Sequence, residues 1–170
     1  EEALREQRRL SLMFKNLGYW RHAQFELEKA IEIADAHRVE RESGSLRVNL
    51  AILLLKSGVI HQVPHLLDEA EPSLASAGPS KWLTNARLVR ANYLRITGHP
   101  AKALEILTPA LETTREQQYS REEAITLEYI GDCHLAQKEY RKALGHYEQA
   151  LKIAEATAPE GDIIPEVCHR

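Results

Sequence analysis

An excess of positive charge is missing from this chain of 170 residues, in which 22 Lys and Arg stand against 25 Asp and Glu for a formal net charge of −3. Neutralising a phosphate backbone takes a basic stripe, so direct nucleic-acid binding is not expected. Long apolar runs are missing as well. The longest, Leu50 to Leu55, falls far short of the roughly 20 residues that carry a helix across a bilayer, so no membrane role is expected. Cysteine is scarce: Cys133 and Cys168 are distant and cannot form a disulfide framework for a chain of this size, which fits a reducing, cytoplasmic setting. The opening, Glu1-Glu2-Ala3-Leu4-Arg5-Glu6, is charged and helical rather than signal-like. Phosphate loops, nucleotide fingerprints, nucleophile elbows and the HExxH zinc motif are also lacking. The expectation is therefore a non-enzyme without cofactor, with no catalytic, cofactor-binding or metal residue to name.

What the chain does have is a repeat. Gly18, Gly58 and Gly98 are forty residues apart, and Lys138 falls on the next step. The same step aligns Ala23, Val63, Ala103 and Ala143, then Leu27, Leu67, Leu107 and Tyr147, then Ala30, Ala70, Ala110 and Ala150. Upstream of the turn it aligns Ser11, Ala51, Ala91 and Gly131, and the larger Phe14, Leu54, Leu94 and His134. Offsets of three and four place such residues on one helical face. Each unit thus reads as two amphipathic helices joined by a tight turn, with small residues letting the axes approach and Leu or Tyr filling the space between units. A glycine at the turn supplies the positive φ that ends the first helix.

Features that suggest chemistry have plainer readings beside them. His61 and His65 are four apart, a spacing used in metal sites, but only Asp68 and Glu69 stand near, and exposed helix histidines are common. His134 occupies a bulky core register and reads as a packed histidine. Cys133 has no base at a helical offset to activate it. Glu122 and Glu123 are adjacent, hence on different faces, and read as favourable charge at a helix N-terminus.

The pattern resembles the tetratricopeptide repeat family. The fourth copy fits best, with Ile130-Gly131, Tyr140, Ala143, Tyr147, Ala150 and Leu151, and the first is close, with Leu10-Ser11, Phe14, Gly18, Trp20, Ala23, Leu27 and Ala30-Ile31. Copies two and three are degenerate, with Val63 where Ala is usual and Pro100 where an aromatic is usual. The resemblance implies an all-α fold, a right-handed α-solenoid of antiparallel helix pairs in one domain spanning 1–170. Its repeats fall at about 4–43, 44–83, 84–123 and 124–158, with 159–170 starting a fifth pair or forming a cap. The family's usual period is shorter, about 34 residues, with a closing proline; here those positions are Asp35, Ala75, Arg115 and Glu155, so longer second helices are expected. Proline comes later, as Pro79 and Pro159, in the turns that open the next unit. Such long-period repeats are similar to those of kinesin light chains, LGN-type adaptors and the regulatory regions of bacterial transcriptional activators. The alanine-rich second helices and the Ala158-to-Asp162 connector look most like the last. Asp162 reads as the N-cap of a further helix with Ile163, Ile164 and Val167, and this fifth unit stops short, as in a piece of a longer protein.

In this family the first helices line a concave groove that holds a peptide, helix or protein. Carried over, the groove residues are Arg5, Arg8, Leu12 and Lys15 from the first copy and Asn49, Ile52 and Leu55 from the second. Leu88, Asn92 and Arg95 follow from the third, and Glu128 and Asp132 from the fourth. Read in order they run from basic through apolar to acidic. The clamp with which some members hold acidic chaperone tails would fall on Arg8, Leu12, Asn49, Asn85 and Val89, of which only Arg8 and Asn49 fit, so that ligand is disfavoured. The helix from Leu46 to Leu55 is apolar nearly all round, either because it is packed on both sides or because Ile52 and Leu55 form an apolar patch. The expected function is a protein-interaction module, the regulatory or sensory region of a larger bacterial signalling or transcription-regulator protein. The alternatives are a small-ligand or peptide-pheromone sensor, or a homodimer formed through the terminal helices.

Overall fold

The computed structural model describes residues 2–76, 78, 80–157 and 163–168, the side chains of 3–5 and 166 excepted. Its helices are α1 (Glu2–Asn16), α2 (Trp20–Ala36), α3 (Glu40–Ser57), α4 (Val63–Ala75), α5 (Lys81–Ile96), α6 (Pro100–Glu116), α7 (Ser120–Ala136), α8 (Tyr140–Thr157) and α9 (Ile163–Cys168). A 3-10 turn, Ile60–Gln62, leads into α4, and no strand occurs among the described residues. The second helices run on as expected: Asp35, Arg115 and Glu155 lie inside α2, α6 and α8, and Ala75 closes α4. Pro79, Pro159 and the expected N-cap Asp162 lie outside the described residues.

The turns follow one backbone rule. Positive φ occurs at Gly18 (78°), Gly58 (80°), Gly98 (83°) and Lys138 (63°), the expected series. It also occurs at Arg38 (55°), Gly78 (81°) and Gln118 (55°), midway between them. The chain therefore reverses every twenty residues. In the first turn Tyr19 N–H donates to the Phe14 carbonyl at 2.9 Å and Gly18 N–H to that of Lys15 at 3.1 Å. The first of these bonds recurs as Val39 to Ala34, Val59 to Leu54, His99 to Leu94, Tyr119 to Thr114 and Glu139 to His134. This is the Schellman ending, which satisfies the last carbonyls of a helix from the backbone alone. The residues that open α2, α3, α6 and α7 (Tyr19, Val39, His99 and Tyr119) make no side-chain cap.

Two compact units, Glu1–Val89 and Arg90–Arg170, divide α5 between them. In the first, α1 packs on α2, α2 on α3 and α3 on α4. Ala23, Leu27 and Ala30 of α2, and Val63, Leu67 and Ala70 of α4, are buried in the registers read from the repeat. Flanked on both sides, α3 buries Leu46, Val48, Ala51, Leu53 and Leu54, each large side chain contributing about 1.5–3 kcal/mol. Arg47 stitches three helices, with Nε 2.7 Å from Glu69 and Nη2 2.9 Å from Asp35. Its hydrogen bond holds the Asp35 carboxyl below the usual carboxylate range.

In the second unit α7 packs on α6 and α8, and α9 folds back on both α7 and α8. Ala124, Leu127, Ala143, Tyr147, Ala150 and Ala154 form the core. Ile163 and Val167, expected to open a fifth pair or meet another copy, are buried against this core and cover its end. At the α7–α8 crossing Gly131 faces Tyr147 so closely that a Cβ would lie 2.5 Å from the ring.

Candidate functional site

In the first unit α1, α2 and α3 enclose an open groove of about 400 Å³, lined by Arg8, Arg9, Ser11, Leu12, Lys15, Ala23, Leu27, Asn49, Ile52 and Leu53. Residues 8, 12 and 15 lie along one face of α1, and 49, 52 and 53 share a face of α3. Five of the expected residues, Arg8, Leu12, Lys15, Asn49 and Ile52, are thereby brought together. The floor is aliphatic, with Leu27, Leu53 and Ala23 buried, whereas Leu12 on the rim is 53% exposed. Arg8 is ion-paired with Glu42 of α3, which positions its guanidinium at the groove's edge. Lys15 and Arg9 are exposed and have no ion pair among the described residues. Leu55 is half-buried on α3 but is not among the lining residues. Leu88 is buried in α5, and the Arg5 side chain lies outside the described residues.

In the second unit Asn92, Arg95 and Asp132 come together, but as an internal cluster rather than an open surface. Arg95 Nη1 is 3.1 Å from Asp132 and Nη2 donates to Asn92 at 2.7 Å. Its guanidinium lies 5.5 Å from the Tyr129 ring centroid, and the Tyr147 hydroxyl donates to Asp132 at 2.7 Å. Asp132 is 6% exposed and Glu128 1%. The acidic end of the groove expected from the sequence is therefore buried. Residues 128 and 132 face inward on α7, and the buried Asp132 carboxylate is stabilised there by Arg95 and the Tyr147 hydroxyl.

A family model described as "Tetratricopeptide repeat" matches residues 83–156. That stretch is tetratricopeptide repeat. Kinesin light chain tetratricopeptide-like repeats from Podosopora anserina are similar in fold: TM-score 0.73 at 18% identity, covering 98% of this chain and 82% of that one. A second structure of those repeats, carrying one substitution, gives 0.75 at 18% identity, covering 99% and 84%. No curated protein matches the chain. Tetratricopeptide repeats generally mediate protein–protein interaction and are typically non-catalytic scaffolds, and no helix among the described residues is long and apolar enough to cross a membrane.

Elsewhere in the chain lie the features that hinted at chemistry. His61 lies in the 3-10 turn and His65 in α4, so the two are not a pair on one regular helix. The exposed His65 is 3.6 Å from Glu69. Among the described residues no group of three or more His, Cys, Asp or Glu could hold a metal ion. His134 is packed, with Nδ1 2.7 Å from a Glu139 oxygen and its ring stacked on His146 at 5.3 Å. Burial first, then the charges of His134 and Arg115, keep the His146 imidazole below its ordinary value. Burial likewise pushes the Cys133 thiol up to about 11, the opposite of what a nucleophile needs. Sequence reasoning missed Arg9 in the groove, although it adjoins Arg8, and missed the Arg95–Asp132–Tyr147 cluster, whose members come from three helices.

Proposed function

We propose that this chain is a protein-interaction module that holds a peptide or helix of a partner protein in the groove between α1, α2 and α3. The observation that carries this reading is the groove itself, with an aliphatic floor, an exposed Leu12 on its rim and uncommitted cations beside it. Apolar area supplies affinity in such grooves, and the polar rim sets orientation and specificity. The scarcity of cysteine supports a cytoplasmic setting. The narrower assignment, the regulatory region of a larger bacterial signalling or transcription-regulator protein, is supported by the resemblance of the second helices and connector alone.

The test is affinity capture on the immobilised chain beside a Leu12→Glu, Ile52→Asp variant shown by circular dichroism to be folded. Leu12 and Ile52 line the groove without being fully buried, whereas Arg95 is unsuitable as a probe because its loss would strip Asp132 of a cation. A partner retained by the wild type and lost by the variant supports the groove. Equal retention by both would place binding elsewhere and overturn the assignment.

A further inference from the structure

We propose that the end of the first unit where α1 turns into α2 and α3 into α4 rests on the surface of an anionic lipid membrane, a contact separate from the groove and independent of it. Because the chain reverses after each helix, these two turns fall at one end of the unit and the turn between α2 and α3 at the other. The first end carries Leu17, Tyr19, Trp20 and Val59, exposed by 62%, 56%, 39% and 36%. The α2–α3 turn exposes only Val39 among large apolar side chains. Charge is divided in the same way. No Asp or Glu occurs between Glu6 and Glu26 or between Glu42 and Asp68, so both turns of the first end lack carboxylates. At about 1.5 Å per residue, Glu26 and Asp68 lie roughly 7–9 Å back along α2 and α4. Lys15, Arg21 and Lys56 are exposed at this end and have no ion pair among the described residues. The α2–α3 turn instead has Asp35, Glu40 and Glu42 beside Arg38 and Arg41.

The four apolar side chains stand on turns, and none of them lines the groove. A peptide orders against a groove or a strand edge, whereas a bilayer interface accepts separate side chains. Tyr and Trp favour that depth, with the ring against acyl chains and the polar tip in water. Cations beside them are drawn to anionic headgroups. Tyr19 is held in place for this contact, its ring 6.5 Å from Phe14 and 5.9 Å from His22, edge-on to both. Crossing a bilayer takes roughly 20 apolar residues, but resting on one takes a few side chains. The shortage of long apolar runs therefore confines the contact to the surface without forbidding it.

The experiment is co-sedimentation of the full chain with phosphatidylcholine vesicles made with and without phosphatidylserine, at low and at physiological salt. The other tryptophan, Trp82, is replaced by Phe so that Trp20 alone reports. Binding is expected only with phosphatidylserine present, and it should weaken as salt is raised. On binding, the Trp20 emission should shift to the blue and be quenched by brominated phosphatidylcholine. An Arg21→Glu, Lys56→Glu variant, shown by circular dichroism to be folded, should bind about 25-fold more weakly or worse, at about fivefold for each cation lost. Leu17→Ser should weaken binding and reduce the quenching, whereas Arg38→Glu, Arg41→Glu at the opposite end should leave both unchanged. No sedimentation with phosphatidylserine vesicles overturns the proposal. So does binding without quenching of Trp20, or binding that the Arg21→Glu, Lys56→Glu variant retains in full. If vesicles are ignored but that variant loses a captured acidic protein, this end serves a protein and the lipid assignment falls.

Discussion

Gly131→Ala and Gly145→Ala make the same change in two adjacent helices and should move stability in opposite directions. In a helix interior the change is worth up to about 1 kcal/mol in favour of alanine, because glycine loses more backbone freedom on folding. At Gly145 nothing lies within 4 Å of the new Cβ, so that gain is realised as about 0.5–1 kcal/mol. At Gly131 the Cβ would lie 2.5 Å from Tyr147 Cε1 and 2.7 Å from Cδ1. The ring cannot simply swing aside: it is 9% exposed, and its hydroxyl is tied to Asp132 at 2.7 Å. Overpacking of this kind costs about 1–3 kcal/mol and wins, for a net loss of about 1 kcal/mol. The two variants should then differ by about 2 kcal/mol, or roughly 4–8 °C in Tm for a chain of this size. Thermal and urea unfolding followed by circular dichroism measure this, and a Tyr147→Leu background should shrink the Gly131→Ala penalty in a double-mutant cycle. If Gly131→Ala stabilised as much as Gly145→Ala, the argument that Tyr147 demands a glycine would be refuted.

Gly58→Ala should cost about 1–2 kcal/mol from left-handed strain alone, since its Cβ would meet nothing, and Lys138→Gly should be neutral or mildly stabilising; urea midpoints compare the two. A thiol reagent at mild pH should label the exposed Cys168 and leave Cys133, buried and pushed up to about 11, until the chain is unfolded; fast labelling of both in the native state would contradict the packing of α7. His146 sits below its ordinary value of 6.5, so the unfolded chain takes up that proton first, and stability should fall as pH drops below about 6.5. Asp35, held below 3.8, adds a second loss as pH falls through its lower folded value; a His146→Gln variant should flatten only the first step in pH-dependent melting curves. Arg95→Leu removes a cation from the buried Asp132 and should cost about 2–3 kcal/mol in urea unfolding, less than a fully buried pair because Arg95 is 22% exposed.

The helix pairs were legible because their signals are local. Offsets of three and four among Ala23, Leu27 and Ala30, repeated at a fixed step, need no knowledge of neighbours, and a turn glycine announces itself. The alternate turns were silent because Arg38 and Gln118 adopt left-handed φ near 55° at a cost a single residue can bear, and nothing in their identity advertises it. The groove was half legible. Residues 8, 12 and 15 share a face by spacing alone, but whether a face is open depends on what packs against it. Glu128 and Asp132 read as the acidic end of the groove; both are buried, and α5 and α8 bring Arg95 and Tyr147 to Asp132. The spacing from Asp132 to Tyr147 spans a turn and carries no pattern a single helix would show.

The turns close through main-chain bonds such as Tyr19 to Phe14 and Tyr119 to Thr114, and this bears on how such a chain can diverge. A reversal secured by side chains ties descendants to those side chains. A reversal secured by the backbone leaves its residues open to replacement, provided that a left-handed φ is affordable at one position in twenty. The same fold is indeed seen in structures only 18% identical to this chain. The surfaces beside the turns are correspondingly free to accumulate new charge or new apolar contacts, and hence new partners, while the helices stay where they are.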